Sequence, residues 1–417
     1  MTIAHVSTYD VSGGAALAAY RLHRGLREIG APSTMVVRLK QSEDPTVVVP
    51  LADQAEDAAH AADVAAAFRT DSAGLSMFSR GGFIPFHTER ATFGKALARN
   101  LNDYDVVNLH WVRGALDWPA FFPTRPAGQV VVWTLQDMHP FTGGCHYGLG
   151  CRRFAATCGA CPILESQQAE DLSTIVQRRK TSVLQHFTGR ALHIVSTSRW
   201  LADEAASSTV FQGLPMSVIP AALDTTVFAP AERAAARRRL GLTDDAFVLF
   251  FVAQDITDPR KGLDILDAAL ARLNPPGEVM VLLAGDGTYD AVSGVPFQAL
   301  GPVSAAADLA ALYCLADLTV VPSRQDNLPN TVLESLACGT PVLGSTAGGI
   351  PDMITDGENG MLAPVGDVDA WTAALDRALA SPEALAAMGQ RGRSRAVREH
   401  ALEVQARRYA SLYESLL

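Results

Sequence analysis

Short apolar runs alternate with Ala-rich, amphipathic helical stretches along this chain, and partway through the alternation starts again. The first series comprises residues 2–8, 33–38, 105–110, 129–135 and 192–197. An extended stretch over 216–220 and 224–230 and a basic helix over 232–240 follow, and then new runs at 247–253, 279–284, 318–322 and 341–344. Continuous apolar runs, rather than apolar–polar alternation, suit strands buried on both faces of a parallel sheet. Repeated strand–helix units build a doubly wound α/β sheet. Two such series predict two Rossmann-like domains, with ligands bound beyond the carboxyl ends of the strands. A length of 417 residues and 48% hydrophobic residues are enough for two cores. A peripheral helix is expected over 52–68 and one long helix over 394–417.

Charge and hydropathy exclude several function classes. The net charge of -10 argues against nucleic acid, whose phosphates need clustered Lys and Arg. Apolar runs of a few residues fall short of the roughly 20 that a membrane helix needs. The chain opens on a strand with no basic and apolar leader, so a cytoplasmic protein is expected. The basic helix with Arg237, Arg238 and Arg239 reads as a solvated face, allowing at most peripheral membrane contact.

The segment from Pro322 to Val342, PSRQDNLPNTVLESLACGTPV, packs several constraints into one strand–loop–helix–strand unit. Pro329 suits a helix start, where its missing N–H costs nothing. The N–H groups of Asn330, Thr331 and Val332 would then point out of a helix N-terminus, which attracts a diphosphate through aligned donors and the macrodipole. Glu334, a turn further on, can accept hydrogen bonds from two ribose hydroxyls. Asp326 sits in the loop, where it can hold hydroxyls of a sugar. Gly339 ends the helix.

These residues resemble the E-x7-E region of the family 4 retaining glycosyltransferases, with Asp326 at the first acidic position and Glu334 at the second. Other segments follow the same family's order: Ser12-Gly13-Gly14 before the first helix, Ile219-Pro220 with Leu223-Asp224 and Val227-Phe228 in the linker, Pro259-Arg260-Lys261-Gly262, Ala284-Gly285-Asp286-Gly287, and Gly348-Gly349-Ile350-Pro351. The resemblance covers nearly the whole chain and implies the GT-B fold, two Rossmann-like domains facing a central cleft. It implies domains over about 1–220 on the acceptor side and 221–395 on the nucleotide-sugar side, with the helix 396–417 returning to brace the first. It assigns the donor, a UDP-, GDP- or TDP-linked sugar, to Glu334, Lys261, Arg260, Asn330, Thr331 and Val332, with Asp326, Gly348 and Gly349 around the sugar. Gly13, Gly14, Gln136 and Asp137 would present a hydroxyl acceptor, either a glycan, a lipid-linked molecule or a small molecule. Lys261 would neutralise the departing diphosphate, a large electrostatic contribution in such reactions, and no catalytic metal is expected.

Three positions depart from the family pattern. Gln136 stands where relatives usually carry a His, Asp255 where many place an Arg, and Asp326 where the first Glu is usual. Gln136 can hydrogen-bond a sugar hydroxyl but cannot titrate. His110 and His139, near the ends of the same strands, are candidates to take its place, although a His near a strand end is more often structural. Ser198 is expected to cap the helix that follows it.

The stretch FTGGCHYGLGCRRFAATCGACP from Phe141 to Pro162 resembles the Cys-rich segment of a subgroup associated with capsular, exopolysaccharide and colanic-acid type sugar assembly. Cys145, Cys151, Cys158 and Cys161 fall within the loop 141–165 at C-x5-C-x6-C-x2-C spacing. Four thiolates in a compact loop usually hold tetrahedral zinc, so a structural zinc is expected, with four buried thiols as the other reading. Cys314 and Cys338 read as small core residues. The overall expectation is a retaining hexosyltransferase of polysaccharide or glycoconjugate assembly. Its rivals are a non-catalytic nucleotide-sugar-binding partner of a glycan assembly complex, or a same-fold epimerase or phosphorylase.

Overall fold

The computed structural model describes residues 1–51, 54–72, 85–187, 192–243 and 245–417. The chain divides into two compact units, residues 1–220 with 405–417, and residues 221–404.

The first unit is built on a seven-stranded parallel sheet of β1 (Ile3–Tyr9), β2 (Ser33–Leu39), β3 (Val47–Val48), β4 (Val106–Leu109), β5 (Val130–Leu135), β6 (Leu192–Ser196) and β7 (Met216–Val218), in the order β3-β2-β1-β4-β5-β6-β7. Every residue of β4, β5 and β6 is buried, which explains their uninterrupted apolar character. Trp133 of β5 packs against Trp118 and Phe122, with ring centroids 4.7 and 6.0 Å away. On the other side Tyr409 and Tyr413, from the end of the chain, are fully buried against Ile3, Val106 and Val132. Their hydroxyls meet a polar ladder inside the core: Asn108 Nδ2 donates to Tyr413 Oη at 2.7 Å, and Thr134 Oγ1 lies 3.0 Å from Tyr409 Oη. Phenols that bury their rings this deeply need such partners.

The second unit holds a six-stranded parallel sheet of β8 (Phe247–Asp255), β9 (Val279–Asp286), β10 (Phe297–Gly301), β11 (Leu318–Val321), β12 (Val342–Ser345) and β13 (Gly360–Ala363), in the order β10-β9-β8-β11-β12-β13. One core, with Phe250, Leu282, Tyr313 and Leu333, covers one group of contacts, and another, with Leu266, Val281 and Trp371, covers a second. Both sheets reverse their order beside the first strand of their unit, the arrangement that opens a crevice at the strands' carboxyl ends.

Two expectations change. Residues 394–417 are not one helix: Pro382–His400 and Leu402–Leu416 are separate, because Ala401 is extended (φ -66°, ψ 150°). His400 explains the break, since its carbonyl accepts from Leu223 N–H at 2.9 Å and its ring bonds the Ala221 carbonyl. The expected extended stretch over 216–220 is in part a strand, β7, paired with β6. The helix expected over 52–68 is found at Gln54–Ser72, and residues 52–53 lie outside the described residues.

Candidate functional site

In the second unit the residues converge on Asp326. A turn over Pro259–Lys261 follows β8, opened by Asp258, whose carboxylate accepts from Arg260 N–H at 2.9 Å. Gly262 ends the turn at φ +74°, and a Cβ there would lie 2.1 Å from the Pro322 carbonyl oxygen. Only glycine lets the turn come this close to the end of β11. Arg324 closes the contact, donating to the Pro259 carbonyl at 2.6 Å and to Asp264 at 2.8 and 2.6 Å. Lys261 Nζ then reaches Asp326 Oδ2 at 2.6 Å, and Arg260 Nη1 lies 3.4 Å from the same oxygen. Burial pulls the Asp326 carboxyl up, but Lys261 and Arg260 outweigh it and hold it below the usual range.

Gly348 and Gly349 support Asp326 from below. Gly348 has φ +53°, and a Cβ on it would fall 1.8 Å from the Asp326 carbonyl oxygen. Gly349 N–H donates to that oxygen at 3.1 Å. The loop with Asp326 is thus seated on a Gly-Gly turn that no side chain could share.

The helix beyond the loop begins at Asn330, and Pro329 precedes it as an extended N-cap residue that offers no side-chain hydrogen bond. Of the three N–H groups expected to point outward, that of Val332 donates to the Pro329 carbonyl at 3.1 Å. Val332 is buried in the core, and this bond already uses its N–H, which sets it apart from Asn330 and Thr331. Glu334 is buried, and Tyr313 Oη donates to its Oε2 at 3.2 Å. Asp255 ends β8 and binds its own turn, accepting from Thr257 N–H and Oγ1 at 2.8 and 2.6 Å.

In the first unit Gly13 precedes the helix Gly14–Glu28, which has no side-chain cap. Gln136 is half-buried after β5. Asp137 is buried and acts as an organiser: its Oδ1 accepts from His139 N–H at 2.9 Å, and its Oδ2 from Trp111 Nε1 at 2.8 Å and His146 Nδ1 at 2.6 Å. Burial pulls its carboxyl up, yet His146 and these donors hold it low. His87 Nδ1 in turn sits 3.0 Å from His146 Nε2. Lys180, fully buried, donates to the carbonyls of His139 and Thr142 at 2.5 and 3.1 Å, and burial lowers its pKa to about 8. Trp111, His87, His146 and Lys180 escaped the sequence reading, since they come from four separate segments and share no local motif.

Cys145, Cys151, Cys158 and Cys161 line one small pocket, as free thiols. Burial pushes Cys145 up to about 12 and Cys158 up to about 11, which keeps these sulfurs protonated. Among the described residues no group of three or more His, Cys, Asp or Glu is placed to hold a metal ion. The expected structural zinc is therefore not supported; Cys158 and Cys161 are buried, and Cys145 and Cys151 half-buried.

Residues 246–381 match the family described as "Glycosyl transferases group 1". This match lies within the second unit. Among curated relatives, the D-inositol 3-phosphate glycosyltransferase of Segniliparus rotundus is 32% identical over 228 residues, half of this chain and half of that one. That of Thermobifida fusca is 28% identical over 309 residues, 69% of this chain and 64% of that protein. The chain spans about half the length of most of the curated relatives it matches. Solved structures align along the whole chain. Anabaena Alr3699/HepE in complex with UDP-glucose gives a TM-score of 0.68 at 16% identity, covering all of both chains. Sucrose-phosphate synthase from Thermosynechococcus elongatus gives 0.64 at 19%, covering 100% of this chain and 98% of that one. These likenesses show the fold: two parallel-sheet, Rossmann-like α/β domains of the GT-B class. No described helix is long and apolar enough to cross a membrane.

Proposed function

We propose that the protein is a retaining glycosyltransferase that moves a sugar from a nucleoside diphosphate donor to a hydroxyl acceptor. The observation that carries this reading is the contact of Lys261 Nζ with Asp326 Oδ2 at 2.6 Å, on a loop seated by Gly348 and beside the helix that bears Glu334. A cation paired with a carboxylate can turn to the diphosphate when a donor arrives. Asp326 is then released to hold sugar hydroxyls. Lys261, with Arg260 beside it, supplies positive charge where the leaving group gains negative charge, the kind of preorganised stabilisation worth several kcal/mol. Glu334 receives the ribose hydroxyls, and the N–H groups at Asn330 and Thr331 face the phosphates.

The donor class is supported by the UDP-glucose complex of the Anabaena neighbour, and transfer by the names of the curated relatives. Retention and independence from a catalytic metal follow the family resemblance, in which the departing phosphate serves as the base. We assign the acceptor to the first unit and the pathway to polysaccharide or glycoconjugate assembly. A cytoplasmic setting fits this role. The non-catalytic alternative has one observation in its favour: Asp255 is committed to its own turn, so no Arg stands there to face a diphosphate.

A screen of UDP-, GDP- and TDP-sugars for nucleoside diphosphate release, in wild type and Glu334→Ala, tests the proposal. Release from one donor that disappears in the variant is the expected result. Donors that bind, seen by thermal shift, but are never cleaved with any acceptor favour the non-catalytic reading. Failure of every donor to bind would sink the assignment of Glu334 and Lys261.

A further inference from the structure

Where β4 and β5 end, Trp111, Arg113, Gln136, Asp137, His139 and His146 line a recess with room for one water-sized group. That is on the order of one hydroxyl or one water molecule. What such a group would meet follows from the hydrogen bonds already committed around it.

Asp137 is ionised and can only accept, so His146 Nδ1 must carry the proton between them. His146 Nε2 lies 3.0 Å from His87 Nδ1. Both nitrogens of His146 are used, the Trp111 N–H is used, and Asp137 already takes three donors. His139 is different. Its Nε2 lies 3.1 Å from the His87 carbonyl oxygen, which can only accept, so Nε2 carries the proton. Its Nδ1 is left with a lone pair, and no hydrogen bond to Nδ1 is found among the described residues. A ring nitrogen with a free lone pair suits a ligand that can donate to it.

We propose that this recess binds one uncharged hydroxyl of a polyol or sugar, with His139 Nδ1 accepting its proton and Trp111 forming the wall beside it. The inference deepens the transferase reading, on which the word acceptor rests: His139, and not Asp137, is the polar group on offer to the acceptor. Asp137 is a positioning residue that fixes the His139 backbone, the His146 tautomer and the Trp111 indole. Gln136 adds an amide at the rim where a titrating group is missing. The neutral state of His139 suits the role, since burial, Lys180 and His146 all hold its pKa well below the usual value.

The test uses the full chain labelled with ¹⁵N in its histidine rings, with myo-inositol and, separately, glycerol as probes at pH 7. In the free protein His139 is expected as the Nε2–H tautomer, with an unprotonated Nδ1 resonance that moves saturably as myo-inositol is added. The variant H139F is expected to bind at least tenfold more weakly. H139N, whose Oδ1 replaces Nδ1 as an acceptor, should stay within about threefold of wild type. An Nδ1–H tautomer, an Nδ1 resonance that does not move with either probe (a water-filled recess only), or H139F binding as tightly as wild type would each overturn the proposal. Neither readout needs donor turnover. If no nucleotide sugar is cleaved while the His139 resonance responds, the transferase reading fails and the polyol site stands; the reverse pattern removes the site and leaves the transferase reading.

Discussion

Each unit of this protein buries one aspartate just beyond a strand, and the two are used in opposite ways. Asp326 is 6% exposed and faces cations, Lys261 and Arg260, on a loop seated by a Gly-Gly turn. Asp137 is also 6% exposed but faces ring donors, an indole and an imidazole, with further imidazoles behind them. An ion pair with a lysine can be exchanged for another anion, because Lys261 is on a flexible stem and carries a charge that a phosphate also wants. A carboxylate that fixes tautomers has no such exchange; its value lies in holding other groups still. The proposed function gives the difference a meaning: substrate charge is met in the second unit and a hydroxyl is oriented in the first.

The largest expected effect that separates the units is their response to acid. Nine of the ten histidines (His5, His23, His60, His87, His110, His139, His146, His186 and His193) belong to the first unit, and only His400 to the second. Burial lowers His23 to about 4 and His110 to about 3, and holds His5 and His139 well below the usual value. Below pH ~6.5 the unfolded chain binds protons that the folded unit refuses. The stability from these groups is therefore complete above pH ~6.5 and is lost as pH falls through 6.5 towards the folded values. His23 and His110 each contribute a slope of up to ~1.4 kcal/mol per pH unit. Asp326 behaves differently: its lowered carboxyl contributes above the ordinary 3.8 and is lost only at lower pH. Calorimetry from pH 7.5 to 5.5 should show the first unit's transition falling by roughly 5–10 °C while the second stays nearly fixed. Limited proteolysis at each pH identifies the unit that opens. Equal shifts in both would break the contrast.

Next in size are two substitutions at the charged site. Lys261→Ala removes the ammonium that would meet the diphosphate, and turnover of a cleaved donor should fall by roughly 10²–10³-fold. Gly348→Ala adds a methyl 1.8 Å from the Asp326 carbonyl oxygen, so the loop must move. A displacement of about 1 Å at a reacting group costs on the order of 10²-fold in rate. The decisive comparison is in how they fail: Lys261→Ala should keep the fold and lose the rate, whereas Gly348→Ala should lose rate and melting temperature together. A Gly348→Ala enzyme with full activity would show that the position of Asp326 does not matter.

The contrast also explains what could be read without a structure. The second unit's site lies in segments where chemistry and backbone are local: Lys261 sits one residue before the glycine that lets its turn approach, and Asp326 and Glu334 lie eight residues apart. Strand-forming runs were legible for the same reason, since burial on both faces leaves an unbroken apolar string, as in VVVWTL of β5. The first unit's cluster was not legible, because His87, Trp111, His146 and Lys180 meet only through the fold. The clustered cysteines show the reverse failure: a metal-like spacing in the chain did not become a metal-holding arrangement in space. The break at Ala401 was hidden too, as it is fixed by His400 meeting residues 221 and 223, far away in sequence.

The smallest expected effect concerns two helix starts that look alike in the chain. Ser198 and Pro329 both follow a strand and both precede a helix. Ser198 Oγ accepts from Leu201 N–H at 3.0 Å, as expected of a serine cap, so this terminus has satisfied one of its own orphan donors. Pro329 offers no side chain for that purpose, and on the proposed reading the terminus after it meets the diphosphate. Ser198→Ala should therefore cost about 1 kcal/mol of stability, measured by urea unfolding of the first unit's transition, with donor binding and turnover unchanged. A change at Pro329 should do the opposite. Pro329→Ser supplies an internal cap that competes with a bound phosphate, so UDP should stabilise this variant less than wild type in a thermal shift, while the unliganded protein melts no lower. If Ser198→Ala instead weakens donor binding, the helix start after β6 belongs to the site and the division of labour between the units must be redrawn.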